Sequence, residues 1–232
     1  VVLTHTVATV GLAVDSWNPT GTVIQVTGTG QDDEIKIRKT SSQYVVSIRS
    51  DSGCHDREWE NYSFSIVGIT RIVVHAGDGD DEVQVADSVS IATELHGQAG
   101  DDELDGGSGP NLMLGGSGND ELKGGNGRDI LIGGLGRDEL KGKSGSDLLI
   151  GAYTLYDENA EALAAIFAEW NSDHTLASRI ANLGGTGASD RLNGSYYLTL
   201  AGSAPTVIND NDKDEIEAKN NDWVLAHLYG PG

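Results

Sequence analysis

From Gly97 to Ile150 the chain reads, in nines, GQAGDDELD (97–105), GGSGPNLML (106–114), GGSGNDELK (115–123), GGNGRDILI (124–132), GGLGRDELK (133–141) and GKSGSDLLI (142–150). Every unit opens on glycine and has glycine fourth. The sixth place holds Asp102, Asn111, Asp120, Asp129, Asp138 and Asp147, and the eighth holds Leu104, Met113, Leu122, Leu131, Leu140 and Leu149. A related unit, AGDGDDEVQ (76–84), lies upstream with Asp81 sixth and Val83 eighth. Repetition at a fixed short period marks a fold built by stacking one small unit on the next.

The first six places of a unit suit a turn, because glycine takes left-handed φ values that other residues resist. The last three, such as Glu121-Leu122-Lys123, suit a short strand with one inward side chain. Two units make one coil with a strand on each side and a leucine seam inside. A single coil buries little, so coils must stack. Stacking also piles the turns, each with its carboxylate, and like charges a few ångströms apart cost on the order of 1–4 kcal/mol per pair at surface-type dielectrics. A Ca²⁺ between stacked turns reverses that sign. It takes about six to eight oxygens, which carboxylates and the carbonyls of tight turns can supply.

Composition agrees. The 232 residues include 32 glycines and only four prolines, with no collagen period, and Asp+Glu exceed Lys+Arg by 36 to 15, a net charge of −21. That balance excludes the basic footprint that nucleic acids and anionic membranes require. No apolar run reaches the ~18 residues of a membrane-spanning helix. The single cysteine, Cys54, has no internal disulfide partner, and Cys54-His55-Asp56 reads as a loop rather than a metal or catalytic cluster.

The nonapeptide resembles the RTX (repeats-in-toxin, hemolysin-type) calcium-binding repeat G-G-x-G-x-D-x-U-x. That resemblance implies a right-handed parallel β-roll or β-solenoid in a mainly all-β chain; the flanking residue patterns add a β-rich N-terminal part and a small helical insertion near the C-terminus. It also implies a ligand set for each ion. Second- and fourth-place carbonyls and the sixth-place carboxylate come from one turn; first- and third-place carbonyls and the sixth-place carboxylate come from the turn two units on. One expected site joins Gln98, Gly100 and Asp102 to Gly115, Ser117 and Asp120; the next joins Gly116, Gly118 and Asp120 to Gly133, Leu135 and Asp138. On the opposite side, Gly107, Gly109 and Asn111 would meet Gly124, Asn126 and Asp129, and Gly125, Gly127 and Asp129 would meet Gly142, Ser144 and Asp147. A fifth would join Gly77, Gly79 and Asp81 to Gly97, Ala99 and Asp102, across a spacing of 21 rather than 18 that is read as a longer strand or bulge from Gln84 to Leu95. In all, about four to six Ca²⁺ ions are expected.

Departures from the pattern carry expectations too. Asn111, preceded by Pro110, removes a charge, so its site should be weaker; Lys143 replaces a turn glycine and should break the run's end.

Four regions are expected. Residues 1–75 form a β-rich region that caps or continues the solenoid, a small separate β-sandwich being the alternative, with strands at 23–26, 34–37, 44–48, 64–66 and 72–74. Gly28-Thr29-Gly30-Gln31-Asp32-Asp33 looks like a degenerate turn of the same kind. Residues 76–151 form the calcium roll. Residues 152–208 form a helical insertion: Asp157 would cap a helix over 158–171 with Leu163, Ile166, Phe167 and Trp170 on one face, and a second helix would run from His174 to Leu183 before Gly184. The first helix's polar face carries Glu158, Glu161 and Glu169, the wrong sign for anionic lipid, so the pair should pack over the roll's end or side. Residues 209–232 resume the repeat. Asp214 stands sixth and Ile216 eighth there, Asp214 would face Asp147 across a calcium, and 218–225 form a shortened unit. An EF-hand reading of 210–221 fails on Glu215 and Asn221.

No H-E-x-x-H or G-x-S-x-G is present, and the six histidines are scattered, so no enzyme is expected. The expected role is a secreted or cell-surface calcium-binding structural protein, able to self-associate into a filament, layer or matrix. The alternatives are a calcium-triggered folding and secretion module of a larger adhesin or exported enzyme, and a calcium-dependent adhesin, for which no pocket signature exists.

Overall fold

The computed structural model describes residues 8–50, 58–187, 189–202, 204–219 and 221–225. Cys54, His55 and Asp56, with His5 and His227, lie outside them. The chain is mostly β with two short helices. Strand β1 (Thr9–Val14) turns back into β2 (Thr22–Thr27), and a glycine turn leads to β3 (Asp33–Lys39) in a second sheet. An antiparallel excursion, β4 (Gln43–Ser50) and β5 (Glu60–Ser65), follows on the edge of β3, and β6 (Ile69–Asp78) returns to lie parallel beside β2.

From there the chain alternates between sheets through β7 (Glu82–Val85), β8 (Ala92–Ala99), β9 (Glu103–Asp105), β10 (Asn111–Ser117), β11 (Glu121–Gly125), β12 (Ile130–Leu135), β13 (Glu139–Lys143) and β14 (Leu148–Ile150). An insertion follows, with β15 (Tyr153–Thr154), α1 (Ala160–Trp170), α2 (Leu176–Leu183) and β16 (Val207–Ile208). The alternation then ends with β17 (Glu215–Glu217) and β18 (Trp223–Leu225). The first sheet runs β1-β2-β6-β8-β10-β12-β14-β18 and the second β17-β13-β11-β9-β7-β3-β4-β5, with β15 and β16 as a separate pair.

Register explains the nonapeptide. Leu122 lies beside Leu104 and Leu140 in the second sheet, and Met113 beside Leu95 and Leu131 in the first. These eighth-place side chains from both sheets join Ile24, Ile35, Val74 and Val83 in one continuous core. Full burial of each contributes about 1.5–3 kcal/mol.

The seventh and ninth places point outward, and they differ by sheet. On the second sheet they are polar, with Glu and Lys tied across strands as in Lys141–Glu121 at 2.7 Å and Lys123 with Glu103. On the first sheet they hold Leu112, Leu114, Ile130, Ile132, Leu148 and Ile150, which the insertion covers with Leu163, Ile166, Phe167 and Trp170 of α1. The helices therefore lie on the flank of the first sheet. Upstream on that flank, buried Arg71 binds Asp15 at 2.9 Å and also Glu94, with Trp17 stacked on its guanidinium.

Four expectations are corrected. The three extra residues before β8 lie in the turn 86–91, where Val89 donates to the Ala86 carbonyl, and not in a strand running from Gln84 to Leu95. Helix α1 starts at Ala160 under the cap of Asn159, because Asp157 is taken up by the amide and hydroxyl of Thr154; α2 likewise starts later, capped by Thr175. Glu169 is no surface residue. It is fully buried and accepts hydrogen bonds from the Leu192 amide and Asn182, with His174 beside it, pinning the loop after α2. Lys143 does not break the run: it adopts the left-handed conformation (φ 64°) that its place requires and stays paired with Gly125.

Candidate metal centre

The turns stack into two edges. On the first edge, where the chain passes from the first sheet to the second, the sixth-place aspartates form a ladder: each main-chain N–H donates to the Oδ1 of the next. Asp33 donates to Asp81 at 2.6 Å, Asp81 to Asp102 at 2.9 Å, Asp102 to Asp120 at 2.9 Å, Asp120 to Asp138 at 3.0 Å and Asp138 to Asp214 at 3.1 Å. On the second edge Asn111 donates to Asp129 at 2.8 Å, Asp129 to Asp147 at 3.0 Å and Asp147 to Asp222 at 2.9 Å. From Asp33 to Asp147 these side chains are buried.

Only one oxygen of each is used this way. The Oδ2 atoms of Asp81, Asp102, Asp120, Asp129, Asp138 and Asp147, and the Oδ1 of Asp33, are buried without a hydrogen-bond partner. A buried carboxylate oxygen left so is costly. Those of Asp102, Asp120, Asp129, Asp138 and Asp147 lean over the first glycine of their own unit: a Cβ on Gly97, Gly115, Gly124, Gly133 or Gly142 would run into them, and one on Gly151 would likewise meet Oδ2 of Asp214. The first-place carbonyl of the next turn reaches the same point for Gly97, Gly115 and Gly124, the carbonyls being those of Gly115, Gly133 and Gly142. At the second and fourth places φ is positive at Gln98 (86°), Gly100 (131°), Gly116 (117°) and Gly118 (137°), which aims successive carbonyls along the edge.

The expected ligand sets are largely brought together. Ser117 O meets Gly100 N at 2.9 Å, Leu135 O meets Gly118 N at 2.9 Å, and Ala99 O meets Gly79 N at 2.8 Å; on the second edge Ser144 N meets Gly125 O at 2.9 Å and Asn126 N meets Gly107 O at 3.5 Å. Asp214 is misplaced in the sequence reading. It stacks on Asp138, while Asp147 stacks on Asp222, because the insertion interrupts a first-edge turn and the chain re-enters on that same edge. Asp33 and Asp222 were missed as candidates. Asp33 was legible as the sixth residue of Gly28–Asp33, whereas Asp222 sits in a unit too short to align.

Electrostatics mark the ladders as unfinished without a cation. Burial, with the next carboxylate of the ladder adding to it, raises Asp81, Asp129 and Asp138 from 3.8 to about 8 and Asp102 and Asp147 to about 7. Burial raises Asp120 to about 6. Among the described residues no three His, Cys, Asp or Glu side chains surround one point. Each space between stacked aspartates offers two carboxylates, so turn carbonyls must complete a shell. An oxygen-only donor set of this kind suits a hard cation such as Ca²⁺.

The RTX calcium-binding nonapeptide repeat matches at residues 94–113 and 114–149, in four copies. Residues 94–149 are RTX calcium-binding repeats. The RTX segment spans β8 to β14, while both ladders continue beyond it, to Asp33 upstream and to Asp214 and Asp222 downstream. Neither the curated proteins nor the solved structures searched give a match. Among the described residues no helix is long and apolar enough to cross a membrane.

Proposed function

We propose that the chain is an extracellular calcium-clamped structural module, a right-handed parallel β-roll that becomes rigid when Ca²⁺ fills the spaces between ladder aspartates. The observation that carries this is the row of buried, unpartnered carboxylate oxygens on both edges. Parallel pairing from β6 to β14 supports the roll, and the right hand follows the general rule for parallel crossovers. Placement outside the cell is supported by the secreted habit of RTX proteins and by the chain's acidity. The described residues are committed to scaffold and no nucleophile–base pair stands out among them, so the module is read as non-catalytic. Edge strands at both ends suit end-to-end association into a filament or layer.

Far-UV circular dichroism in EGTA and in millimolar calcium tests the clamp. A gain of β structure with calcium is expected, and identical spectra would remove the proposal's basis. Sizing and negative-stain microscopy at high concentration test assembly; a strict monomer in both conditions would discard it. A second reading is favoured by the length of the ladders. Because they run through nearly every coil, metal binding and folding must be coupled, as a calcium-triggered folding and secretion module of a larger adhesin or exported enzyme requires. Domains encoded upstream in the same gene would favour it.

A further inference from the structure

On the second edge the ladder begins with an amide rather than a carboxylate. Asn111 is fully buried, and its Oδ1 accepts the Thr93 hydroxyl at 2.6 Å. Its Nδ2 donates to Gly109 O, Gly124 O and Asp129 Oδ1, each at 2.8 Å, and reaches Gly107 O at 3.4 Å. The opposite amide orientation would turn an oxygen toward four oxygens, so the orientation is determined by its surroundings.

Those four acceptors are four of the six groups that the repeat pattern assigns to one ion between these turns. A carboxamide nitrogen carries two hydrogens and a partial positive charge, so it draws oxygen lone pairs inward as a cation would. Asparagine and aspartate have nearly the same shape, and exchanging them swaps a donor for an acceptor at this one point. The next space on the same edge shows the contrast: there the oxygen facing inward is Asp129 Oδ2, buried and without a partner.

We propose that Asn111 closes its space without metal, the carboxamide nitrogen standing where an ion would otherwise sit. The inference rests on the calcium reading of the ladders and sharpens it. One turn pair in the roll, 107–111 against 124–129, is held at any calcium concentration, while its neighbours wait for the ion. The space is therefore no weakened calcium site, and the roll contains a permanently latched coil beside ion-dependent ones.

Counting bound calcium by native mass spectrometry on the full chain tests this. Asn111→Asp should hold one ion more than wild type, and Asp120→Asn on the first edge, the same exchange in the opposite sense, should hold fewer. A folded Asn111→Asp with an unchanged count would overturn the latch and leave the calcium reading intact; a wild type without calcium would overturn both. Should Asn111→Asp fail to fold, hydrogen exchange on wild type decides. In EGTA a peptide covering 106–114 should stay protected at least tenfold longer than one covering 133–141, and equal exchange rates would refute the latch.

Discussion

Acid should replace calcium in holding the roll together. In the metal-free fold, six ladder carboxyls have values raised from 3.8 to between about 6 (Asp120) and about 8 (Asp81, Asp129 and Asp138). A carboxyl whose folded value lies above its unfolded one binds its proton more tightly when folded, so it favours the fold at low pH. Its contribution is complete below about pH 4 and is lost as pH rises through the folded values, here between about pH 6 and pH 8. Each ladder carboxyl borders two spaces, so roughly one proton should leave per ion bound near pH 6. Apparent affinity should therefore fall about tenfold for each pH unit below that range. The assay is far-UV circular dichroism in chelator at pH 4.5 and pH 8.5, with calcium then added at pH 8.5. A β-rich spectrum is expected at pH 4.5, one with markedly less β at pH 8.5, and recovery with calcium. Acid also relieves the general repulsion of a chain at −21, so 0.5 M NaCl at pH 8.5 serves as control. Salt at that strength screens exposed charges beyond roughly 4–5 Å but hardly reaches buried ones. Recovery of structure by salt alone, or equal β content at both pH values, would refute the reasoning.

Asp129→Ala removes the acceptor of two Asn111 donors, at a cost of about 1–3 kcal/mol, and should lower the native-mass calcium count by one rather than by the two that its position between two spaces would suggest. Gly134→Ala adds a Cβ against the Gly116 carbonyl at φ 114°, and should abolish at least one ion, as read by isothermal calorimetry. Leu122→Ala empties a fully buried place in the seam and should cost about 2–5 kcal/mol in calcium-saturated thermal unfolding. Glu169→Ala orphans the Leu192 amide and Asn182, about 1–3 kcal/mol, and should lower protection of residues 182–198 in hydrogen exchange while leaving the calcium count unchanged.

The sequence by itself determined the repeating coil. Glycine at the first and fourth places, aspartate sixth and leucine eighth each meet a local demand of the turn or of the strand behind it, and local demands are written in consecutive residues. It also carried a signal left unread: in alternate units the seventh and ninth places are apolar, Leu112 and Leu114, then Ile130 and Ile132, then Leu148 and Ile150. That is the mark of a sheet face awaiting a cover. Only the tertiary structure decided which aspartates stack across the insertions. Asp33 on Asp81, Asp138 on Asp214 and Asp147 on Asp222 depend on which edge the chain re-enters, and residue spacing loses that information once an excursion intervenes. The same holds for Asn111. In sequence it is one charge fewer, but in the fold its neighbours turn the amide nitrogen inward, and a weakened ligand becomes a latch.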